Sequence, residues 1–236
     1  MITKNKLEAQ LSVVICGAGR AGTALALALN DCSEFQVSIV ITHRARRRSS
    51  FLPRLSQSTK ILPLERLNEL AALPPPDILF VTTPDDHIEE SAVLLASVWP
   101  KSNLRSSTRV ALHLSGALPS RTLEPLGAQG FSVGSMHPLV SLSNASEGAQ
   151  KLRRAHYCLE GEARAVRIAK LIVKALEGNS FTIESRDKPL YHAAAVMSSG
   201  HLVALISAAT EMLTACGLKE PRARLLLNSL CRERAR

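Results

Sequence analysis

Six residues near the start of the chain, Gly17-Ala18-Gly19-Arg20-Ala21-Gly22, constrain the fold more than any other feature. They follow an aliphatic run at residues 11–16 and open an Ala- and Leu-rich run at 21–30. Between a strand and a helix, this G-x-G-x-x-G spacing has a mechanical meaning. Gly17 supplies a tight turn, Gly19 lets a pyrophosphate approach the backbone, and Gly22 lets helix and strand pack closely. Ala18, Arg20 and Ala21 complete the loop. The helix start then faces the diphosphate with unsatisfied N–H groups and its positive dipole end. Stripped of its flanks, the same spacing would read as an ordinary turn.

A unit of this kind that prefers NAD ends its second strand with an acidic residue, for the adenosine ribose hydroxyls. Here the corresponding stretch reads Val40-Ile41-Thr42-His43-Arg44, with Arg46 and Arg47 close behind. Guanidinium groups offer fixed donors and a permanent charge to a 2′-phosphate. The expected cofactor is therefore NADP, with Arg44 as its chief phosphate contact and Thr42 adding a hydroxyl.

Strand and helix signals alternate onward. Strands are predicted at 35–42, 60–62, 77–83, 109–114 and 131–136, and helices at 65–73, from 85 or 86 to 99, and at 119–126. Further strands at 157–159 and 181–183 flank a helix at 163–176. From 188 the pattern is long, helical and too apolar for free exposure, so a buried helix is expected, inside the domain or against a second subunit. A last helix from Pro221 carries Leu225, Leu226 and Leu227, which suggests dimerisation or a shortened chain. The fold class is α/β: a Rossmann-type doubly wound sheet at 9–150, then a mainly helical, truncated C-terminal domain at 151–236.

Ligands of an open α/β sheet collect at the C-terminal ends of its strands. Thr83 and Pro84 end one predicted strand, Ser115 another, and all three are expected to line the nicotinamide ribose and ring. Asp85 reads either as part of that rim or as a helix cap. Candidates for proton transfer are His137, Lys188, Tyr191 and His192; Lys188 and His192 lie about one helical turn apart. The seven histidines and five cysteines lack metal-ligand spacing, and G-x-S-x-G is absent, so neither a metal site nor a hydrolase has an anchor.

The formal net charge of +9 concentrates at 43–48 and in the tail, attracting anionic partners. Aromatic residues do not interleave with these arginines, so specific nucleic-acid binding is not indicated. Scattered cysteines, no leader pattern and no uninterrupted apolar run of membrane-spanning length imply a cytoplasmic protein.

The stretches Val14-Ile15-Cys16-Gly17, Thr83-Pro84-Asp85-Asp86-His87-Ile88, His113-Leu114-Ser115-Gly116-Ala117-Leu118-Pro119, Gly134-Ser135-Met136-His137-Pro138-Leu139 and Lys188-Pro189-Leu190-Tyr191-His192 together resemble a family. It comprises the Rossmann-like proteins with a C-terminal domain of unknown function, DUF2520. More distantly the chain resembles pyrroline-5-carboxylate reductases, ketopantoate reductases and β-hydroxyacid dehydrogenases. The resemblance implies an NADP-binding domain, then a helical domain that often dimerises, with the active site between them. Lys188 is similar to the catalytic lysine of the β-hydroxyacid dehydrogenases, although His192 stands where those carry an Asn. Gly200 stands where the nearer family commonly has Asn, and family members tend to continue for several more helices. The expected activity is hydride transfer to or from a small polar metabolite. The alternatives are a non-catalytic NADP-binding or sensing protein and a basic nucleic-acid-binding module.

Overall fold

The computed structural model describes residues 10–43, 55–99 and 109–234. They fall into two compact units that divide after Lys188. The first begins as the glycine loop demands, with β1 (Leu11–Cys16), α1 (Arg20–Asn30) and β2 (Phe35–Thr42). Then come β3 (Lys60–Pro63), β4 (Ile78–Val81), α2 (Ile88–Val98), β5 (Val110–His113), α3 (Glu124–Gly127) and β6 (Ser132–Pro138). The unit closes with α4 (Ala145–Leu152), β7 (His156–Gly161), α5 (Ala163–Ala175) and β8 (Asn179–Thr182).

All eight strands form one sheet in the order β3-β2-β1-β4-β5-β6-β7-β8. Parallel pairing runs from β3 to β6, with Cys16 opposite Ile41 on one side and Val81 on the other. Both faces of β1 are covered, which explains its apolar run from Val13 to Cys16. Val13 and Ile15 join the core beneath α1 and α5, whereas Val14 and Cys16 join the one beneath α2. Because β2 and β4 lie on opposite sides of β1, their following connections diverge and leave a crevice above the C-terminal end of β1.

Two differences from the sequence reading concern this unit. Where an α-helix was expected at 65–73, a 3-10 segment (Leu64–Ala72) forms, kinked at Arg66, which has non-helical dihedral angles. The sheet also continues past residue 150: β7 pairs antiparallel with β6, and β8 parallel with β7.

The second unit, from Pro189, carries the rest of α6 (Lys188–Val196), a π turn (Met197–His201), α7 (Leu202–Ala215) and α8 (Glu220–Arg234). Its long apolar helix is not covered within this chain, the first of the two expected alternatives: Leu190, Val203 and Leu205 show 77%, 69% and 68% of their surface. Within this unit α7 packs on α8. Ser185–Ala215 is also long and apolar enough, by length and composition, to cross a membrane. Counting uninterrupted apolar residues overlooked it, since Ser, His and Gly break the run without lowering its average much.

Candidate active site

The glycine loop keeps the geometry that its sequence implies. Gly17 has φ of +111°, and a β-carbon there would press on the Thr82 backbone at 2.8 Å. At Gly22 a β-carbon would overlap the Gly17 carbonyl and the Thr82 hydroxyl. Gly19 differs, for no atom of the described residues lies within 4 Å of a β-carbon built on it. Thr82 fixes the turn from β4, its Oγ1 donating to the carbonyls of Cys16 at 3.0 Å and Gly17 at 2.8 Å. Gly19 caps α1 without a side-chain bond, and no acidic residue sits in the first turn. Arg20 and Ala21 open the helix, so its N-terminal face is left to a ligand.

Above the loop lies a cavity of about 570 Å³. Gly17, Ala18, Gly19, Thr42, Thr83 and Pro84 line it. Sequence reasoning missed His43 and the contribution of α2, which presents Glu90, Ser91, Leu94 and Leu95. Their signal was the helical spacing of 90, 91, 94 and 95, which places one face toward the loop. A hollow of about 440 Å³ shares His43, Leu64 and Leu94 with the cavity. β2 ends Thr42-His43 without a carboxylate; Arg44, Arg46 and Arg47 lie outside the described residues.

Ser115 does not line the cavity. It is 6% exposed and forms the centre of a polar cluster. Its hydroxyl donates to Asp85 Oδ2 at 2.7 Å and accepts from the N–H groups of Ala117 and Leu118. Asp85 is thus joined to the next loop along the rim, and no side-chain cap forms at the start of its own 3-10 turn. The Ser115 N–H donates to His113 Nδ1, so Nε2 carries the hydrogen and donates to the Pro119 carbonyl. Burial, then the nearby Lys188 amine, hold the His113 imidazole down to about 3. Neutral at ordinary pH and bonded through both nitrogens, His113 serves the turn rather than proton transfer.

Lys188 is fully buried. Its Nζ donates to the Ser115 carbonyl at 2.9 Å and to Ser135 Oγ at 2.6 Å. Burial lowers its pKa, opposed chiefly by the Glu160 carboxylate. That carboxylate, 4% exposed, accepts from both the N–H and the hydroxyl of Ser120. His137 lies two residues along β6 from Ser135, half-buried and opposite Cys158. Ser115, Ser135, His137 and Lys188 therefore share one region of the first unit. Tyr191 and His192 follow Lys188 on α6 but belong to the second unit. Among the described residues, no group of three His, Cys, Asp or Glu side chains could hold a metal ion.

An open glycine loop on a doubly wound sheet, with a cavity at the strand reversal, defines the class of dinucleotide-binding α/β folds. The chain belongs to the Rossmann-like domain family, matched over residues 3–138. Residues 155–236 match the domain of unknown function DUF2520. Among solved structures, protein TM1727 from Thermotoga maritima is similar with 25% identity and a TM-score of 0.67, over 94% of this chain and 76% of its own. The reductive aminase from Aspergillus terreus, solved with NADPH and ethyl levulinate, shares 16% identity at a TM-score of 0.68, over 96% and 74%. The pyrroline carboxylate reductase of Plasmodium falciparum, with NADP bound, shares 12% identity at 0.63, over 94% and 76%. No curated protein matches the chain.

Proposed function

We propose that the chain is an NADP(H)-dependent oxidoreductase acting on a small polar metabolite. One observation carries this reading: no atom of the described residues lies within 4 Å of a β-carbon built on Gly19, at a helix start that carries no side-chain cap. A diphosphate fits there, because backbone amides and the helix dipole would replace its lost hydration. The end of β2 offers Thr42 and no carboxylate, and the arginines at 44, 46 and 47 follow in sequence. Both features favour a 2′-phosphate over a bare ribose. The NADPH and NADP complexes of proteins with this fold support the same reading.

A bound nicotinamide cofactor would supply or accept the hydride; the chain itself would orient the reactants and handle the proton. His137, half-buried on β6, is the candidate for the proton. A titration of the full-length protein with NADPH and NADH, followed by nicotinamide fluorescence, tests the proposal. NADPH is expected to bind at least about tenfold more tightly, a difference of ~1.4 kcal/mol, and Arg44→Ala to remove most of it. Binding of neither dinucleotide would refute it.

A second reading, NADP binding without turnover, draws on a specific observation. The amine of Lys188 is fully buried and bonded twice within the protein, where an exchangeable proton would need a path to substrate. NADPH binding with no oxidation across a carbonyl and imine panel would favour it. The free cysteines fit a reducing, cytoplasmic setting under either reading.

A further inference from the structure

The mechanism above leaves Asp85 without a task, although it is the exposed end of a continuous hydrogen-bonded chain. Asp85 Oδ2 receives the Ser115 hydroxyl, and the Ser115 carbonyl receives Lys188 Nζ, which also reaches Ser135 on β6. Ser115 is heavily engaged: the hydroxyl makes one bond as donor and two as acceptor, and both its backbone groups are bonded. Three of these bonds are local, within Ser115's own turn. Only the bonds to Asp85 and Lys188 come from distant parts of the chain, 30 and 73 residues away. The Asp85 bond is also charge-assisted, and so the stronger kind.

Position gives the chain its significance. Asp85 follows Thr83 and Pro84, two walls of the cavity, and sits on the exposed 3-10 turn before α2. Ser115 and Lys188 are buried on the far side of that rim. We propose that Asp85 is a positioning residue, which holds the Ser115 turn in register so that its carbonyl can receive Lys188. The cavity wall and the buried lysine then form one linked assembly, and a ligand that moves the wall also alters the lysine's surroundings. Only the ligand arm of this inference rests on the proposed function.

Side-chain nuclear magnetic resonance can read the linkage without any turnover. In mildly acidic buffer, a buried and doubly bonded lysine ammonium gives a slowly exchanging signal that exposed lysines lack, and Lys188→Arg assigns it by its loss. Asp85→Ala is expected to speed hydrogen exchange of that signal about tenfold. Asp85→Asn keeps an acceptor for the Ser115 hydroxyl and should retain protection. The backbone amides of Val13 and Ile15 report whether the whole unit has loosened, and are expected to stay unchanged in both variants. A wild-type spectrum without the protected signal overturns the proposal, as does Asp85→Ala with wild-type exchange. Faster exchange at Val13 and Ile15 in Asp85→Ala also overturns it, since the carboxylate would then merely support the fold. Addition of NADPH should shift the Lys188 signal in wild-type protein but not in Asp85→Ala. If NADPH fails to bind, the cofactor reading falls while the linkage measured without ligand stands; if it binds and leaves the wild-type signal unmoved, the linkage to the cavity is overturned.

Discussion

Gly19 and Gly22, three residues apart, are needed for different reasons. A methyl at Gly22 would overlap the Gly17 carbonyl, so it is excluded by the protein itself. A methyl at Gly19 meets nothing, so it is excluded only by a ligand. Gly19→Ala should therefore leave thermal stability within about 0.5 kcal/mol of wild type while weakening NADPH at least about tenfold. Gly22→Ala should destabilise the fold outright, by roughly 1–3 kcal/mol. Calorimetry of both variants, with and without NADPH, separates the two cases. His113 makes a pH prediction. Its folded value of about 3 lies below the unfolded value of 6.5. As pH falls below 6.5 the unfolded chain takes up a proton that the folded chain refuses, so stability declines between 6.5 and 3. Denaturant midpoints should fall across that window, with a shallower slope in His113→Gln. At this scale the loop was legible because its glycines act on near neighbours in sequence. The pairing of Asp85 with Ser115 was not, because a carboxylate before a helix also reads as a cap, and its partner lies 30 residues on.

Among the elements, the strands were easiest to read, since β1, β4 and β5 are buried on both faces and are mostly apolar. Direction was harder. Nothing in His156 to Gly161 says that β7 runs against β6; the reversal shows in the register, which runs from Gly134 opposite Gly161, with φ of +129°, to Pro138 opposite Tyr157. β-Carbons there would press on Ala165 at 2.8 Å and on the Val133 carbonyl at 2.6 Å, so the paired glycines let α5 settle onto the sheet. Residues 64–72 misled because Leu64, Leu67 and Leu70 recur every third residue, a spacing that a 3-10 segment satisfies as well as an α-helix. α4 depends on the residue that caps it. Asn144 accepts the Glu147 N–H at 2.9 Å, and Asn144→Ala should cost about 1 kcal/mol, measurable as a lower denaturation midpoint.

For the whole molecule, ligand binding and folding are coupled through the first unit, where the cavity and most of the core lie together. At a hundred times its dissociation constant, NADPH should add about 2.7 kcal/mol and raise the melting temperature by roughly 5–10 °C. NADH at the same concentration should raise it less, which a thermal scan reads directly. The second unit was legible as helix but not as surface. Between Pro189 and Leu218 its one formal charge is Glu211, and apolar composition alone cannot say whether cover comes from the same chain.

α4 meets α1 at Gly148, where a β-carbon would stand 2.8 Å from Ala24 and 3.2 Å from Leu142. The helix proposed to aim its amides at a phosphate is thus wedged from behind, with no slack for a bulkier neighbour. A random screen for weakened NADPH affinity should recover replacements at position 148, on the back of the molecule's working helix, as readily as some in the loop itself.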